Sequence, residues 1–307
     1  MWKKICALFL VVIILFNSYR PSKKEGFSNE NYIQRGDKVT IKRDYFKMKN
    51  PDSIRKYVNN KYLCKTIMQK NGLPVPKAIE WNYDKSKCEN LNTIFSSLSF
   101  PLVLKPINGQ SGYKVFVGLE NKSAVMNKIG VFLINKRPFL VEEQAFGNNY
   151  RVFVMNGKVL DIVRRDPPFV VGDGESTILE LIQEDKRNNQ YGIKKPDWNL
   201  IKKQGLSKNM IIPNGQKVIV TLTIHYTNGA KTESLSLQNI HPENIDMFVK
   251  ANKILNLHVS GIDYMGHDLS VPFTLHNGRI LEVNPGPGLN IHRDLDKNFM
   301  NKFIRNM

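Results

Sequence analysis

The chain is short of cysteine, of acidic residues and of long apolar runs, and each shortage narrows the field. Its three cysteines, Cys6, Cys64 and Cys88, are too few and too scattered for a disulfide framework or a zinc site. A reducing compartment is therefore the expectation. Acids number 27 against 45 lysines and arginines, a formal charge of +18. Such a surface attracts polyanions without choosing among nucleic acid, acidic lipid and a phosphate-rich ligand. Aromatic–basic interleaving and the known nucleic-acid-binding motifs are missing, which argues against nucleic acid as the partner. Internal repeats are missing too. What remains, at 41% hydrophobic and 10% aromatic residues, is an ordinary globular composition for one large or two modest domains.

The longest apolar run is the twelve residues Ile5–Phe16, preceded by Lys3-Lys4. That is short of the roughly 20 residues of a spanning helix and within the range of a signal-peptide core. No small-x-small cleavage pattern follows, and Trp2 and Tyr19 can sit at the two interfaces and extend the segment to about 18 residues. Residues 1–20 are read as an uncleaved hydrophobic anchor, with a cleaved signal and a buried N-terminal segment as alternatives. Arg20, Lys23 and Lys24 follow closely, with Arg35, Lys38, Lys42 and Arg43 further on. This bias places the body on the cytosolic side. Residues 21–49 read as a basic linker, either lying on acidic lipid or serving as a solvated tether.

From Asn50 the pattern is dense and mixed. Ile54, Tyr57, Val58, Leu63 and Ile67 predict a helix over 52–70, stopped by Asn71-Gly72 and by Pro74 and Pro76. Phe100–Lys105 reads as a buried strand. Three Asn-Gly pairs predict type I′ hairpins. They join Tyr150–Met155 to Lys158–Arg164, Lys217–Tyr226 to Ala230–Leu235, and Phe273–His276 to Arg279–Val283. Thr177-x-x-Glu180 opens a helix over 177–188 with a capping box, and Pro242 opens another over 242–255. Antiparallel hairpins with interspersed helices indicate an α+β architecture rather than a doubly wound sheet.

Three clusters carry chemistry. Lys105 leaves a strand into Pro106-Ile107-Asn108-Gly109-Gln110-Ser111-Gly112. There an ammonium and exposed backbone N–H groups suit a phosphate. Strand alternation puts Ile280, Glu282 and Asn284 on one face, with Leu281 and Val283 toward the core. With Asp263 of Gly261-Ile262-Asp263 on the preceding strand they form a hard-oxygen set suited to magnesium, just before Pro285-Gly286-Pro287-Gly288. Glu142 and Glu143 end an apolar strand, where they can meet an adenine amino group and ribose hydroxyls. His292-Arg293 is read either as a contact to a substrate carboxylate or as simply exposed.

Together these residues resemble the ATP-grasp superfamily of carboxylate–amine ligases, and within it the ATP-grasp domain of cyanophycin synthetases. The ordered set is Asn60-Lys61 with Lys65, Gly72-Leu73-Pro74-Val75-Pro76, Val103-Leu104-Lys105-Pro106 and Val141-Glu142. Then come Gly147…Tyr150-Arg151, Arg165, Val171–Ile178, His241–Asn244, Gly261-Ile262-Asp263 and Glu282–Gly288. The resemblance implies two α+β subdomains clasping ATP within residues 50–307, divided near residue 140. It implies that Lys61 and Lys105 contact the phosphates under a loop that includes Gly109, Ser111 and Gly112. Glu142 and the backbone of Glu143–Ala145 would hold adenine, and Asn149 stands where an acid commonly meets the ribose. Asp263, Glu282 and Asn284 would bind two Mg2+ ions, or Mn2+ in their place. Arg151 and Arg165 would steady the acyl phosphate or γ-phosphoryl group. The implied activity is Mg·ATP-dependent amide formation through an acyl phosphate, on amino-acid or peptide substrates. A nucleotide-binding module without ligase activity is the competing reading. It is motivated by Asn149 and by Thr223–Gly229, which differs from the relatives' arginine-bearing substrate loop.

Overall fold

The computed structural model describes residues 27–28, 32–35, 38–42, 44–81, 91–109, 112–134 and 137–307. They fall into two compact units, one ending at Tyr45 and one spanning Phe46–Met307. The anchor expected over residues 1–20 lies outside the described residues. In the first unit, β1 (Phe27–Ser28), β2 (Tyr32–Arg35) and β3 (Lys38–Ile41) form an antiparallel sheet inside the stretch read as a linker. Strands this short and this basic carry little alternation for a sequence reading to find. The five-residue α1 (Tyr45–Lys49) follows.

In the larger unit the single helix expected over 52–70 is two, α2 (Asp52–Asn59) and α3 (Lys61–Lys70). Asn60 between them is extended, and its side-chain oxygen accepts the Leu63 N–H, so it caps α3. Asparagine is among the best N-caps, and here that local bond outweighs helix continuity. Next come β4 (Ala78–Trp81), α4 (Leu91–Ser97), β5 (Leu102–Pro106), β6 (Phe116–Leu119), α5 (Lys122–Leu133) and β7 (Phe139–Glu143). The strands form an antiparallel sheet in the order β4-β7-β5-β6. Ile94, Val125, Ile129 and Phe132 of the two helices pack on Leu102, Leu104, Phe139 and Val141 of the strands.

A second sheet follows. Its first pair, β8 (Asn148–Met155) and β9 (Lys158–Asp166), is the hairpin expected from Asn156-Gly157. Both turn residues have positive φ, 50° and 70°, as a type I′ turn requires. An excursion then carries β10 (Phe169–Val171), α6 (Ile178–Asn188), α7 (Trp198–Lys203) and β11 (Lys217–Ile219) around its own small core of Val170, Ile178, Ile182, Ile201 and Val218. The chain returns through β12 (Lys231–Ser234), α8 (Pro242–Ile254), β13 (Val259–Gly266), β14 (Arg279–Asn284), α9 (Asn290–Leu295) and α10 (Phe299–Arg305). The five strands order as β12-β9-β8-β13-β14, all antiparallel. The capping box at Thr177 and Glu180 is present, and His241 with Pro242 opens α8.

The other two Asn-Gly hairpins do not form. β11 pairs with β10, β12 with β9 and β14 with β13, while residues 226–228 and 273–275 are single 3-10 turns. Longer-range ladders offer each strand a better buried face than its neighbour in sequence does. Gly278 answers to space instead of turn geometry, since a Cβ there would fall on the Tyr264 hydroxyl.

One face of the large sheet presents Val152, Val154, Ile162 and Ile262 to Met247 and Phe248 of α8. The other carries Phe153 under Phe299 and Phe303 of α10 at one end, and polar groups at the other. Asn50 ties this assembly together from outside it. Its fully buried side chain donates to the carbonyls of Val259 and Pro285, both at 2.6 Å, and accepts the His258 N–H at 2.9 Å. Asn50→Ala would strand those backbone groups away from water. It should lower stability by about 3 kcal/mol, read as a reduced urea midpoint with an unchanged slope.

Candidate active site

The polar end of the large sheet is built by register. Asp263 on β13 lies opposite Arg151 of β8 on one side and Glu282 of β14 on the other, and Arg165 of β9 lies opposite Asn149 of β8. Period-2 alternation therefore sets all five on one face, in a row across four strands. Asp263 Oδ1 accepts from Arg151 Nη1 at 3.0 Å and from Arg165 Nη2 at 2.8 Å, and Arg165 Nε donates to Asn149 Oδ1 at 2.7 Å. Burial alone would raise the Asp263 pKa, but the two guanidiniums hold it below the usual carboxylate range. Gly261 makes the arrangement possible. A Cβ at that position would lie 2.7 Å from the Arg151 guanidinium, so only glycine leaves the arginine room to reach Asp263.

β14 departs from the simple alternation expected for it. The register shifts between Asp263 and Tyr264, so that Glu282 faces Asp263 while Ile280 faces Tyr264. Leu281 is the extra residue of a bulge, and Ile280 joins Val283 in the core instead of sharing the face of Glu282.

The second half of the site is a set of lysines around one acid. Lys61 and Lys65 lie one turn apart on α3, and Lys105 lies on the fully buried strand β5. Glu142 on β7 takes Lys105 at 2.5 Å and Lys65 at 3.2 Å, the latter an ion pair out of line for a hydrogen bond. Burial would raise Glu142, but Lys105 and Lys65 together hold its pKa below the ordinary value. Burial pushes Lys65 down to about 8, with the charge of Lys105 adding to it and Glu142 opposing. Lys61 joins the two halves, donating to the Gly109 carbonyl at 2.6 Å and pairing with Glu282 at 3.1 Å.

The expected residues thus converge, with differences. Glu142 does not present its carboxylate to a ligand amino group, because two buried ammonium groups already claim it. Glu143 accepts the Ser99 N–H at 2.9 Å. Its own N–H and that of Gln144 donate to the Lys77 and Pro101 carbonyls, while the Ala145 N–H meets no acceptor among the described residues. Asn149 gives its oxygen to Arg165 instead of standing open as a ribose contact. Gly112 has φ 68° and lies beside Thr223; Ser111 lies outside the described residues. His292 is fully buried, its Nδ1 2.6 Å from Asp161 Oδ2, so the exposed reading fails for it and holds only for Arg293. The motif assigns Lys65 no role. Its signal was in the helix stripe 61, 64, 65 and 68, all buried, where spacing of this kind calls for apolar residues and two positions are lysine.

The donor set fits a hard divalent cation. Among the described residues no three His, Cys, Asp or Glu side chains form a metal-binding group, and here two acids are completed by the amide of Asn284. Glu282 holds Lys61 through Oε1 and Asp263 holds the arginines through Oδ1. One oxygen of each carboxylate and the Asn284 amide remain without a partner among the described residues, which suits an oxygen-seeking ion.

The sequence and the fold are similar to those of known proteins. Residues 40–135 match the model of the sugar-transfer associated ATP-grasp family. The chain is 29% identical over 241 residues to the cyanophycin synthetase of Synechocystis sp., a match covering 74% of this chain and 27% of that one. The chain is similar to ATP-grasp proteins. Similarity extends to the glutathione biosynthesis bifunctional protein of Clostridium perfringens, 26% identical over 280 residues, covering 86% of this chain and 35% of that one. The crystal structure of a bifunctional glutathione synthetase from Pasteurella multocida shares the fold, with a TM-score of 0.57 and 20% identity over 91% of this chain and 40% of that one. The chain spans only 27% and 35% of the lengths of those two curated relatives. The mixed α+β content expected from the sequence is present in the two sheets and their helices.

Two tests follow from the electrostatics. Glu142→Gln leaves two buried ammonium groups without their counter-charge and should lower stability by about 3–5 kcal/mol at neutral pH. A carboxylate with a depressed folded pKa stabilises the fold above its unfolded value and loses that contribution as pH falls through the folded one. Denaturant titrations below about pH 4 should therefore show wild type losing stability more steeply than Glu142→Gln. Parallel acid limbs would deny Glu142 this role.

Proposed function

We propose that this chain is a Mg·ATP-dependent ligase that joins an amino-acid or peptide carboxylate to an amine through an acyl phosphate. The observation that carries the reading is the charge of the cleft. Lys61, Lys65, Lys105, Arg151 and Arg165 converge against Glu142, Asp263 and Glu282. Transferring a phosphoryl group to a carboxylate brings two anions together, and a surplus of fixed cations offsets their repulsion. The lysines would face the nucleotide phosphates, with the 107–113 loop over them and the Ala145 N–H at adenine. Arg151 and Arg165 would steady the transferred group. Asp263, Glu282 and Asn284 would hold Mg2+, in our reading two ions, with Mn2+ as a substitute. When bound, the metal neutralises phosphate charge that the cations leave. The similarity to synthetases of cyanophycin and glutathione supports the same reading.

We further propose that residues 1–20 anchor the chain, with residues 21–49 as a basic segment against acidic lipid and residues 50–307 facing the cytosol. No helix among the described residues is long and apolar enough to cross a membrane, so this part rests on the sequence of residues 5–16 and its flanking charges.

The full chain, incubated with Mg·ATP and pooled amino acids and dipeptides, should release ADP in a substrate-dependent way and yield a hydroxamate when hydroxylamine is present. ATP binding without turnover in any pool would favour the binding-module reading, and no ATP binding would end both. Glu282→Gln should abolish magnesium-dependent ADP release while leaving the unfolding free energy within about 1 kcal/mol of wild type. Unchanged turnover would remove the metal assignment.

A further inference from the structure

The excursion between β9 and β12 carries a groove that shares no residue with the cation row. A helix stop builds it. α7 is closed by Gly205, where φ is 76°; the Gly205 N–H donates to the Lys202 carbonyl and the Leu206 N–H to that of Ile201. This Schellman closure turns the chain back and packs Leu206 on the small core that holds Ile201. The returning residues are tied to the start of α6, whose Ile178 and Leu179 N–H groups donate to the carbonyls of Met210 and Lys208. Trp198, Ile201 and Lys202 share one face of α7. With Leu206, Lys208 and Met210 they line a cavity of about 470 Å³, a size within the range of ligand sites.

We propose that this groove docks an acidic peptide, with one bulky apolar side chain in the cavity and Asp or Glu on either side of it against Lys202 and Lys208. Two observations carry the assignment. The apolar walls are open to water, since Trp198 and Met210 keep 39% and 41% of their surface exposed, and covering them is favourable. The charge beside them is of one sign. Residues 186–208 hold seven lysines and arginines against one acid, Asp197, which is occupied in capping α7. Among the described residues no acid pairs with Lys202, Lys203 or Lys208. A partner that brings carboxylates is therefore steered in, and one that brings cations is repelled. The shape favours a peptide over a lipid surface, because a bilayer is flat on this scale and would leave concave walls uncovered. It favours a peptide over a nucleic acid as well, since Leu206 and Met210 offer aliphatic contact where bases seek aromatic stacking. The docking site stands whether or not the chain is a ligase.

Fluorescence anisotropy on the full chain without ATP tests this with labelled Glu-Glu-Phe-Leu-Glu-Glu and its Lys-Lys-Phe-Leu-Lys-Lys counterpart. The acidic peptide should bind saturably and the lysine peptide should not. Trp198→Ala should weaken the acidic peptide about 10-fold. Lys202→Glu combined with Lys208→Glu should weaken it about 10-fold as well and should gain affinity for the lysine peptide, a gain that misfolding cannot produce. No binding of the acidic peptide, or binding that both variants leave unchanged, would overturn the assignment. So would an oligothymidylate or phosphatidylserine vesicles bound in its place with the same dependence on Trp198.

Discussion

Like charges resist being gathered, and the architecture of this chain is arranged around that constraint. Five cations in one cleft would repel one another and incur a large desolvation cost. Each is therefore held by an acid, and four of the five by an acid that is itself shared. Glu142 serves Lys65 and Lys105, Asp263 serves Arg151 and Arg165, and Glu282 serves Lys61. Sharing is the point. Three carboxylates hold five cations in place without neutralising them, so the cleft keeps a surplus for an incoming polyanion. The depressed pKa values of Glu142 and Asp263 are the same fact seen from the acids, since each is stabilised in its charged form by two neighbours.

The rest of the fold serves to place these groups. The cross-strand ladder sets Arg165, Arg151, Asp263 and Glu282 abreast, and the bulge at Leu281 keeps Glu282 on that face while sending Ile280 into the core. The four-stranded sheet brings Lys105 and Glu142 from adjacent strands, and α3 drops two lysines into the seam. Lys61 touches the Gly109 loop and Glu282 at once, so the two halves are coupled through one ammonium. Asn50 closes the ends of β13 and β14 from the far side. Each device is local, and together they fix a geometry that no single element determines.

Much of this was legible in the residue order because local physics wrote it there. The capping box at Thr177, the proline start of α8 and the Asn156-Gly157 turn depend on neighbours in sequence, and they stand where expected. The two failed hairpins share one cause. Asn-Gly announces a possible turn, but which strand a segment joins is decided by distant partners, and β9 and β13 offered better faces than the nearer candidates. The site behaved alike. Lysines, acids and arginines could be named from their spacing, whereas their partners could not. Glu142 looked like a ligand-facing acid because nothing in sequence ties it to Lys65, 77 positions away. The roles of Asn50 and Gly261 were invisible for the same reason, since they are hydrogen bonds and clearances across the fold.

The contrast between the two sheets and the excursion between β9 and β12 bears on how such a scaffold accommodates different substrates. Charge sharing leaves the cation row little freedom, because removing Glu142 or Asp263 strands two cations at a cost of several kcal/mol. The excursion has its own hydrophobic core, and Lys231 on Asp185 and Tyr226 on Asp294 are among its ties to the neighbouring elements. It can therefore change sequence without disturbing the phosphate-binding row.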